Sequence, residues 1–390
     1  MFKHLFKLIW NKKKQNFLLM SEMLVSFMVI FAVFTMLVFY YQNYRKLRGF
    51  EYENVWAVSY NNPSQSNRAD SLTLFYDLVR QGLIALPEVK EISFSTNNIP
   101  FSINTMQVGA GYNNKQVTGV NYFVVQDSYK DVLNMTMLEG RWFGKQDVFF
   151  KTTPVVINES LKESLFGNTR AVGKLLDDGT KHVIGVVADT KFKGDYVTPG
   201  TAIFYRADST SISQLGHILV RVIPGADAAF EARLYKTMAG IMKNANIEIE
   251  HLTNKRKDIN NFALIPMIIL LIVACFLVIN VALGLFGVLW YNINKRRGEI
   301  GLRRAVGASG KAVWGQLVAE SLILATLSLL IGSFFAIQFP LLNVFDLPAS
   351  VYVIAQILAI LFIYLLVLFC SLYPGKQAAA VYPAVALHED

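Results

Sequence analysis

The sequence predicts an α+β membrane protein with four transmembrane helices and one large extracytoplasmic α+β domain. Three observations support this fold class. Four apolar stretches, 17–41, 262–291, 313–339 and 351–373, reach the roughly 20 residues that cross a bilayer. A long polar stretch with strand-like and helix-periodic segments separates the first two. The 390 residues are 53% hydrophobic, too apolar for an ordinary soluble protein and too mixed for an all-membrane one.

The charge distribution indicates membrane topology. The net charge is +9, yet residues 42–261 hold 25 Lys and Arg against 22 Asp and Glu. The rest of the chain holds 12 bases against 6 acids, so the excess lies beside the apolar stretches. This pattern favours basic cytoplasmic loops. It argues against nucleic acid as a partner, because that would require a basic stripe on the polar domain.

The first apolar stretch, 17–41, is predicted to be an uncleaved anchor. It is longer than the apolar core of a signal peptide, and no small-x-small cleavage site follows it. Residues 1–16 before it alternate lysines with apolar side chains and are predicted to be cytoplasmic. They fit a short amphipathic helix on the inner membrane surface or a simple basic flank, and the two interpretations are equally supported.

Residues 42–261 are predicted to form the extracytoplasmic domain. Segment 55–60 reads as a strand, and Asp70 is predicted to cap a helix that Pro87 ends before a strand at 89–95. A second unit has strands at 217–223 and 247–250 around a helix at 226–242. The apolar faces predicted for the two helices are Leu72, Phe75, Leu78, Val79, Leu83 and Leu86, and Phe230, Leu234, Met238 and Ile241.

These two units predict one βαβ-type subdomain that is split in sequence. Between them, at about 99–206, lies a β-rich stretch broken by Gly and Asn-Asn turns. We therefore expect a second, inserted subdomain there. Neither subdomain contains a cysteine, since Cys275 and Cys370 both lie in apolar stretches, so a disulfide framework and a cysteine-ligated zinc site are excluded.

The remaining topology follows from length and charge. Stretch 262–291 is longer than a bilayer needs and is predicted to be the second span with a stalk. Segments 292–312 and 374–390 are predicted to be cytoplasmic because they carry bases, and 340–350 to be an outer loop because Asp346 is its only charge. The third and fourth spans, 313–339 and 351–373, lie between these segments. Both termini are then cytoplasmic.

The cytoplasmic segment 292–312 is the strongest functional signal. Glu299 precedes Arg303 by four residues, the favourable order for a helical ion pair worth about 0.3–0.5 kcal/mol. A small-to-apolar stripe at helical spacing is predicted from Leu302, Ala305, Val306, Ser309 and Val313. The segment fits a surface for a cytoplasmic partner or a site for lipid headgroups. The spacing alone slightly favours the headgroup interpretation.

The search for catalytic motifs is negative. Gly310-Lys311 is followed by Ala312 and lacks the upstream glycine of a P-loop, and no two histidines are four residues apart. No catalytic or metal-ligating residue is therefore predicted. Polar residues within the spans, Glu22, Asn280 and Glu320 foremost, mark a proton or substrate path or packing contacts between helices. Packing is the commoner role.

Several motifs resemble those of MacB/FtsX-type ABC-transporter permeases. The string from Arg297 to Ser309 is similar to the signature R-x-E-I-G-x-x-R-A-x-G-A-S of FtsX-like permeases. The C-terminal Tyr373-Pro374-Gly375 and the residues after it resemble that family's closing motif, with Gly375 in place of Ala. In the polar domain, 140–143, 155–160, 165–167, 172–174 and 184–189 resemble signatures of the MacB-type periplasmic core.

The resemblance implies a dimeric permease, or a pseudo-dimer with a related permease, in a bacterial inner membrane. It would transmit ATP-driven motion from a separate ATPase subunit to the outer domain, so ATP and Mg²⁺ would be held by that partner and this chain would need no cofactor. A periplasmic adaptor or envelope partner and membrane lipids would be further partners. The residues that the resemblance implies in ATPase coupling are Arg297, Glu299, Ile300, Gly301, Leu302, Arg303, Arg304, Ala305, Gly307, Ala308 and Ser309.

Two other functions fit the same sequence. An FtsX-like signal transducer would use the same helices to activate an envelope enzyme. A membrane sensor without an ATPase would bind a ligand on its outer domain, but such receptors usually carry a sizeable cytoplasmic output domain. The short cytoplasmic segments predicted here, 292–312 and 374–390, argue against that function. An intrinsic enzyme is the least supported.

Overall fold

The computed structural model describes residues 13–61, 69–149, 151–243, 245–295 and 297–379. The N-terminal segment 1–16, predicted to be an amphipathic helix or a basic flank, and the tail at 374–390 therefore lie largely outside the described residues. The chain forms two compact units. One is Asn43–Ala263, a mixed sheet with helices, and the other consists of the long apolar helices before and after it.

Within the described ranges, eleven strands of the first unit form one sheet in the order β11-β1-β10-β2-β4-β9-β6-β8-β5, with β3 paired to β4 and β7 to β8. The strands are β1 Val55–Tyr60, β2 Val89–Ser95, β3 Gln107–Tyr112, β4 Lys115–Val125, β5 Met137–Gly140, β6 Thr153–Asn158, β7 Leu175–Leu176, β8 Lys181–Val187, β9 Ala202–Arg206, β10 His217–Val222 and β11 Ile247–His251.

The first four strands of that order have the connectivity of a split βαβ unit. β1 pairs antiparallel with both β10 and β11, and β10 pairs antiparallel with β2. Strand β2 meets the rest of the sheet through one residue pair, Ser95 with Val125 of β4. Beyond it, β4 runs parallel to β9 and β6 parallel to β8. The chain between β2 and β10 thus extends the same sheet.

Helices cover this sheet. Helices α2 (Ala69–Ile84) and α5 (Ala228–Ile241) pack on β1, β2 and β10, whereas α4 (Glu159–Phe166) packs on β6, β8 and β9. The short α3 (Tyr129–Leu133) buries its apolar side chains on the opposite face. The cores are dense in aromatic and branched side chains, which supply most of the stabilisation of such layers. The sheet thereby holds its connecting loops in fixed positions.

Two details of the predicted first helix are wrong. Asp70 lies inside α2 instead of capping it, because the helix already includes Ala69. Leu78 is 58% exposed, whereas Leu72, Val79 and Leu83 are fully buried against the sheet. The buried stripe of α2 is therefore narrower than the sequence spacing suggested. The predicted apolar face of α5 packs into the same core.

Among the helices of the described chain, four are long and apolar enough to cross a membrane. They are α1 (Lys13–Arg45), α6 (Leu252–Lys295), α8 (Gly310–Leu341) and α9 (Ala349–Ala379), and a short helix α7 (Arg297–Ala305) lies between α6 and α8. The bundle core joins Met23 and Phe27 of α1 to Leu285 of α6, Ala325 of α8 and Ala359 of α9. Small residues on α8 and α9 allow close helix packing.

Candidate functional site

Helix α7 is fixed by one apolar side chain. Ile300 is 6% exposed and packs with Ile293 at the end of α6 and with Val313 and Leu317 in the first turns of α8. Gly301 beside it is also buried. A nine-residue helix is too short to be stable alone. Its position therefore depends on this cluster of four side chains, which we call the Ile300 cluster.

A sharp turn separates α7 from α8. Helix α7 ends at Ala305, Gly307 has a φ of +103°, and Ser309 caps α8 by accepting a hydrogen bond from the Ala312 amide at 3.2 Å. The positive φ suits glycine, which lacks the Cβ that disfavours this conformation. The predicted continuous stripe from Leu302 to Val313 is therefore wrong, since these residues lie on two helices.

The turn leaves an apolar surface exposed. Leu302 is 56% exposed and Val306 82% exposed. Ala305 between them and Gly307 after them are exposed as well. Ala308 is half-buried. Exposed apolar side chains next to a fixed helix face are typical of binding surfaces. We call Leu302, Ala305 and Val306 the α7 surface.

The charged members of the predicted coupling set are described only in part. The backbones of Arg297, Glu299, Arg303 and Arg304 belong to α7, but their side chains lie outside what the structure describes, and Arg296 lies outside it altogether. The predicted ion pair between Glu299 and Arg303 stays a prediction.

The polar residues predicted within the spans contact neighbouring helices or their own helix turn. Glu22 of α1 lies over Gly284 of α6, so closely that a Cβ at Gly284 would sit 2.7 Å from its Oε2. Asn280 is exposed and donates from Nδ2 to the Phe276 carbonyl at 2.8 Å. Both contacts fit packing between or along helices.

Glu320, the third of these residues, lies on α8. Its Oε1 accepts a hydrogen bond from Gln316 Nε2, one turn earlier, at 3.1 Å. Six residues later on the same helix, Thr326 shares a 3.0 Å hydrogen bond with the Tyr364 hydroxyl of α9. The polar groups of α8 thus form partnerships inside the bundle, as packing contacts do.

Within the Asn43–Ala263 unit, two of the motifs noted in the sequence meet at one buried amide. Asn158 is fully buried; its Oδ1 accepts from the amides of Leu161 and Ala202 at 3.2 and 2.7 Å. Its Nδ2 donates to Asp189 Oδ1 at 2.6 Å, and Ser160 Oγ donates to Asp189 Oδ2 at 2.5 Å. The motif residues at 155–160 and 184–189 therefore join β6, α4 and the end of β8. Their role is to fix the fold.

A third motif, at 140–143, forms a turn with its own ion pair. Gly140 has a φ of +65°, and a Cβ there would overlap the Ile184 carbonyl oxygen. Arg141 Nη1 and Nη2 donate to the two carboxylate oxygens of buried Asp147 at 2.7 and 2.5 Å. Burial alone would raise the pKa of Asp147, but the Arg141 bonds outweigh it and the pKa lies below its usual value.

A cluster that the sequence analysis missed surrounds Asp195. This carboxylate is 2% exposed and lies in the connection between β8 and β9. Oδ2 accepts from Arg256 Nε and Nη2 at 2.9 and 2.5 Å and from Asn260 Nδ2 at 2.7 Å. Arg48 Nε lies 3.3 Å from Oδ1, as an ion pair. We call Arg48, Tyr52, Asp195, Arg256 and Asn260 the Asp195 cluster.

Tyr52 completes this cluster. Its hydroxyl accepts from Arg256 Nη1 at 2.7 Å, and the guanidinium groups of Arg48 and Arg256 lie 5.0 and 4.9 Å from its ring centre. Burial would raise the pKa of Asp195, but the hydrogen bonds and charges of Arg256 outweigh it, so the pKa is lowered. The cluster joins the chain that follows α1 to the first turns of α6.

A second contact anchors the end of α1. The buried ammonium of Lys191 donates to the Asn43 carbonyl oxygen, and Asn43 Nδ2 donates to the Tyr196 carbonyl at 3.2 Å. Burial lowers the pKa of Lys191. No spacing rule would have found these partners, because Asn43 and Lys191 are 148 positions apart.

Sequence comparisons assign both parts of the chain. The family model of the MacB-like periplasmic core domain matches residues 23–236, and that of the FtsX-like permease C-terminal domain matches residues 262–383. The chain belongs to the MacB/FtsX-type ABC-transporter permeases. The predicted resemblance is confirmed.

Relatives of this permease are distant. A macrolide export ATP-binding/permease protein MacB of Aggregatibacter actinomycetemcomitans is 24% identical over 221 residues, 54% of this chain and 34% of that protein. An uncharacterized ABC transporter permease, YvrN, of Bacillus subtilis is 24% identical over 304 residues, 70% of this chain and 72% of that one. The match thus spans about a third of the MacB relative's length.

A solved structure is also similar. The periplasmic region of MacB from Actinobacillus actinomycetemcomitans matches 56% of this chain and 98% of that one, with 18% identity and a TM-score of 0.39.

Within the described part of the permease, no group of three or more His, Cys, Asp or Glu side chains is arranged to hold a metal ion.

Proposed function

We propose that this permease is the membrane subunit of an ABC system and that α7 docks on a separate ATPase subunit. The α7 surface carries the proposal, because Leu302 of α7 and Val306 directly after it are exposed, while Ile300 of α7 is held by the span ends. A partner that moves α7 therefore moves α6 and α8 with it. ATP and Mg²⁺ would be held by the ATPase, and this chain would need no cofactor.

The output would be mechanical. Helix α6 runs from Leu252 to Lys295, so one element carries both Arg256 of the Asp195 cluster and Ile293 of the Ile300 cluster. We infer that ATP-driven motion at α7 is passed along it to the outer domain, which exports or expels a substrate outside the membrane. Bases beside α7 and the single acid Asp346 between α8 and α9 support cytoplasmic termini in a bacterial inner membrane.

Co-purification tests the partner. The protein is isolated from its native membrane in mild detergent, and companions are identified by mass spectrometry. We expect a stoichiometric P-loop ATPase with the wild type and a loss of at least about tenfold with Leu302→Ser/Val306→Ser. Leu74→Ser, which changes a residue 67% exposed on the outer domain, is the matched control and retains the ATPase.

The charged signature residues are tested in the same experiment. Glu299→Ala/Arg304→Ala is expected to weaken ATPase binding and coupled ATPase activity. An intact protein that captures no ATPase contradicts the proposal and favours a sensor. Capture of an envelope enzyme together with the ATPase, without a transported substrate, favours the signalling function instead.

We further infer that a second permease chain packs on α6. Asn280 is exposed on this helix among apolar neighbours such as Phe276 and Ile279, and an amide facing hydrocarbon is costly unless protein covers it. Cys275, five residues earlier on the same helix, is free and exposed. Mild oxidation should therefore give a disulfide-linked dimer that Cys275→Ser abolishes and Cys370→Ser does not. Failure to cross-link in native membranes would contradict this interface.

A further inference from the structure

An apolar cavity lies within the helix bundle. Its volume is about 380 Å³, and it is bounded by α1, α6, the end of α8, the loop after α8 and the start of α9. The lining residues are Met28, Phe31, Ala32, Thr35, Met36, Phe39, Tyr40, Leu270, Phe339, Phe345, Leu347 and Tyr352. Neither the α7 surface nor the predicted intramembrane polar residues contribute to it.

One face of α1 forms a wall of the cavity. Its seven lining residues recur every three or four positions from Met28 to Tyr40, which makes the wall about 18 Å long at 1.5 Å per residue. At about 380 Å³, the cavity lies in the lower part of the range of about 300–1,000 Å³ that ligand pockets occupy. It therefore forms an apolar slot along α1 with room for one hydrocarbon chain.

Two hydroxyl groups of the lining are hydrogen-bonded to backbone carbonyls. Thr35 Oγ1 donates to the Phe31 carbonyl at 2.8 Å, and the Tyr352 hydroxyl donates to the Val344 carbonyl oxygen. A polar ligand would find its own groups poorly matched by this lining and would lose its hydration. An apolar chain loses nothing there and gains contact with Phe31, Met36 and Phe339.

The rim beside α9 is strained. Asn343, Phe345 and Asp346 have φ values of +48°, +66° and +50°, and Phe345 and Leu347 line the cavity. A positive φ is unusual for a residue as bulky as phenylalanine. Such strain persists where surrounding structure imposes it, and it concentrates at binding sites. Here it places the Phe345 ring, which is 76% exposed, against the cavity instead of continuing a helix.

We propose that this cavity binds one fatty acyl chain. The observations that support it are the apolar lining, the extended wall that α1 provides and the strained rim at Phe345. A membrane phospholipid and an acylated peptide carry the same chemistry, so the acyl chain is the ligand class and the source is read from the experiment below.

Photolabelling of the full-length protein in native membranes tests the proposal. The probe is a phospholipid with a diazirine on its acyl chain, and labelled peptides are identified by mass spectrometry. We expect labelling concentrated on peptides that contain Ala32, Met36 and Phe345, above the level at lipid-exposed positions such as Ile272 and Leu361. Unlabelled phospholipid and an acylated peptide are then added separately, and displacement by either one supports the site and identifies its source.

Variants sharpen this result. Ala32→Phe fills the middle of the slot and should lower labelling of the Met36 and Phe345 peptides at least about tenfold. Ile357→Phe, at a position 61% exposed on α9 outside the lining, should leave it unchanged. Labelling spread evenly over exposed positions, or displaced by neither competitor, overturns the proposal. A cross-link from a second copy into the cavity also overturns it, and the wild-type map decides even if Ala32→Phe fails to fold.

Discussion

The Asp195 cluster and the Ile300 cluster join the same helix to other segments by opposite means. The Asp195 cluster contains one buried carboxylate with two arginines, an asparagine and a tyrosine, all within hydrogen-bonding or ion-pair distance. The Ile300 cluster contains four aliphatic side chains and no polar one. One connection is directional, because each charge has a particular partner. The other is non-directional and depends on apolar area alone.

This difference predicts different mechanical behaviour. Removing one member of a buried charged cluster leaves its partners uncompensated, so the whole cluster fails together. Four aliphatic side chains can slide past one another and lose contact gradually. We therefore expect the Asp195 cluster to transmit motion rigidly and the Ile300 cluster to permit α7 to reorient. The predictions below separate these two properties.

The largest effect is expected for Asp195→Ala. It leaves Arg256 and Arg48 without their shared carboxylate, a change that typically costs about 3–5 kcal/mol for a buried pair. The side chains of the two arginines are 22% and 37% exposed, so we expect about 3 kcal/mol, the low end. The measurement is thermal unfolding of the full chain, followed by tryptophan fluorescence, to which Trp56 and Trp142 of the Asn43–Ala263 unit contribute.

Asp127→Ala is the matched control. Its carboxylate pairs with Arg206 at 2.7 Å on the same domain but is 35% exposed. A partly solvated pair contributes about 0–1 kcal/mol. If the two variants lowered the unfolding temperature equally, burial of Asp195 would add nothing to stability. That result would contradict the rigid connection.

Low pH should disrupt the Asp195 cluster in the wild type, because the Asp195 carboxylate becomes protonated. The pKa of Asp195 is depressed, so its contribution to stability is present above the unfolded-state value of about 3.9 and is lost as pH falls through the lower folded-state value. Asp147 has a depressed pKa too and acts in the same direction. We expect the unfolding temperature of the Asn43–Ala263 unit to decrease when the pH is lowered below about 4. Asp195→Ala should show a shallower decline, and an identical pH profile would contradict the assignment.

The next largest loss of stability is expected for Ile300→Ala. Truncating a buried isoleucine costs about 2–5 kcal/mol, and a four-residue cluster can collapse around the gap, so we expect about 2 kcal/mol. The loss should be local and appear as faster amide hydrogen exchange in α7. Leu302→Ala, two residues away and 56% exposed, should leave exchange within the range of surface changes. In the co-purification experiment the order should be reversed, so that Leu302→Ala lowers ATPase capture more than Ile300→Ala does.

Sequence patterns predicted the fold better than the sites. The buried strands Val55–Tyr60 and Val89–Ser95 were found because their branched and aromatic runs are local signals. The Asp195 cluster was missed because Asp195 and Arg256 are 61 positions apart, and no local pattern encodes such a pairing. The turn at Gly307 was missed because small residues were counted as part of one helical stripe. A glycine near a helix end is also a signal to stop.

The smallest loss of stability is expected for Ser309→Ala, which tests the turn between α7 and α8. Its hydroxyl caps α8 at the Ala312 amide, and removing such a cap costs about 1 kcal/mol. Only the first turn of α8 should exchange faster, and Ser309→Asp should restore protection because aspartate caps equally well and suits the helix N-terminus. If both variants protect α8 as the wild type does, the Ile300 cluster alone holds the turn. If instead Ser309→Ala releases α7 as fully as Ile300→Ala, the cap and the cluster act as one unit, and the gradual, non-directional behaviour inferred for this end of α6 is wrong.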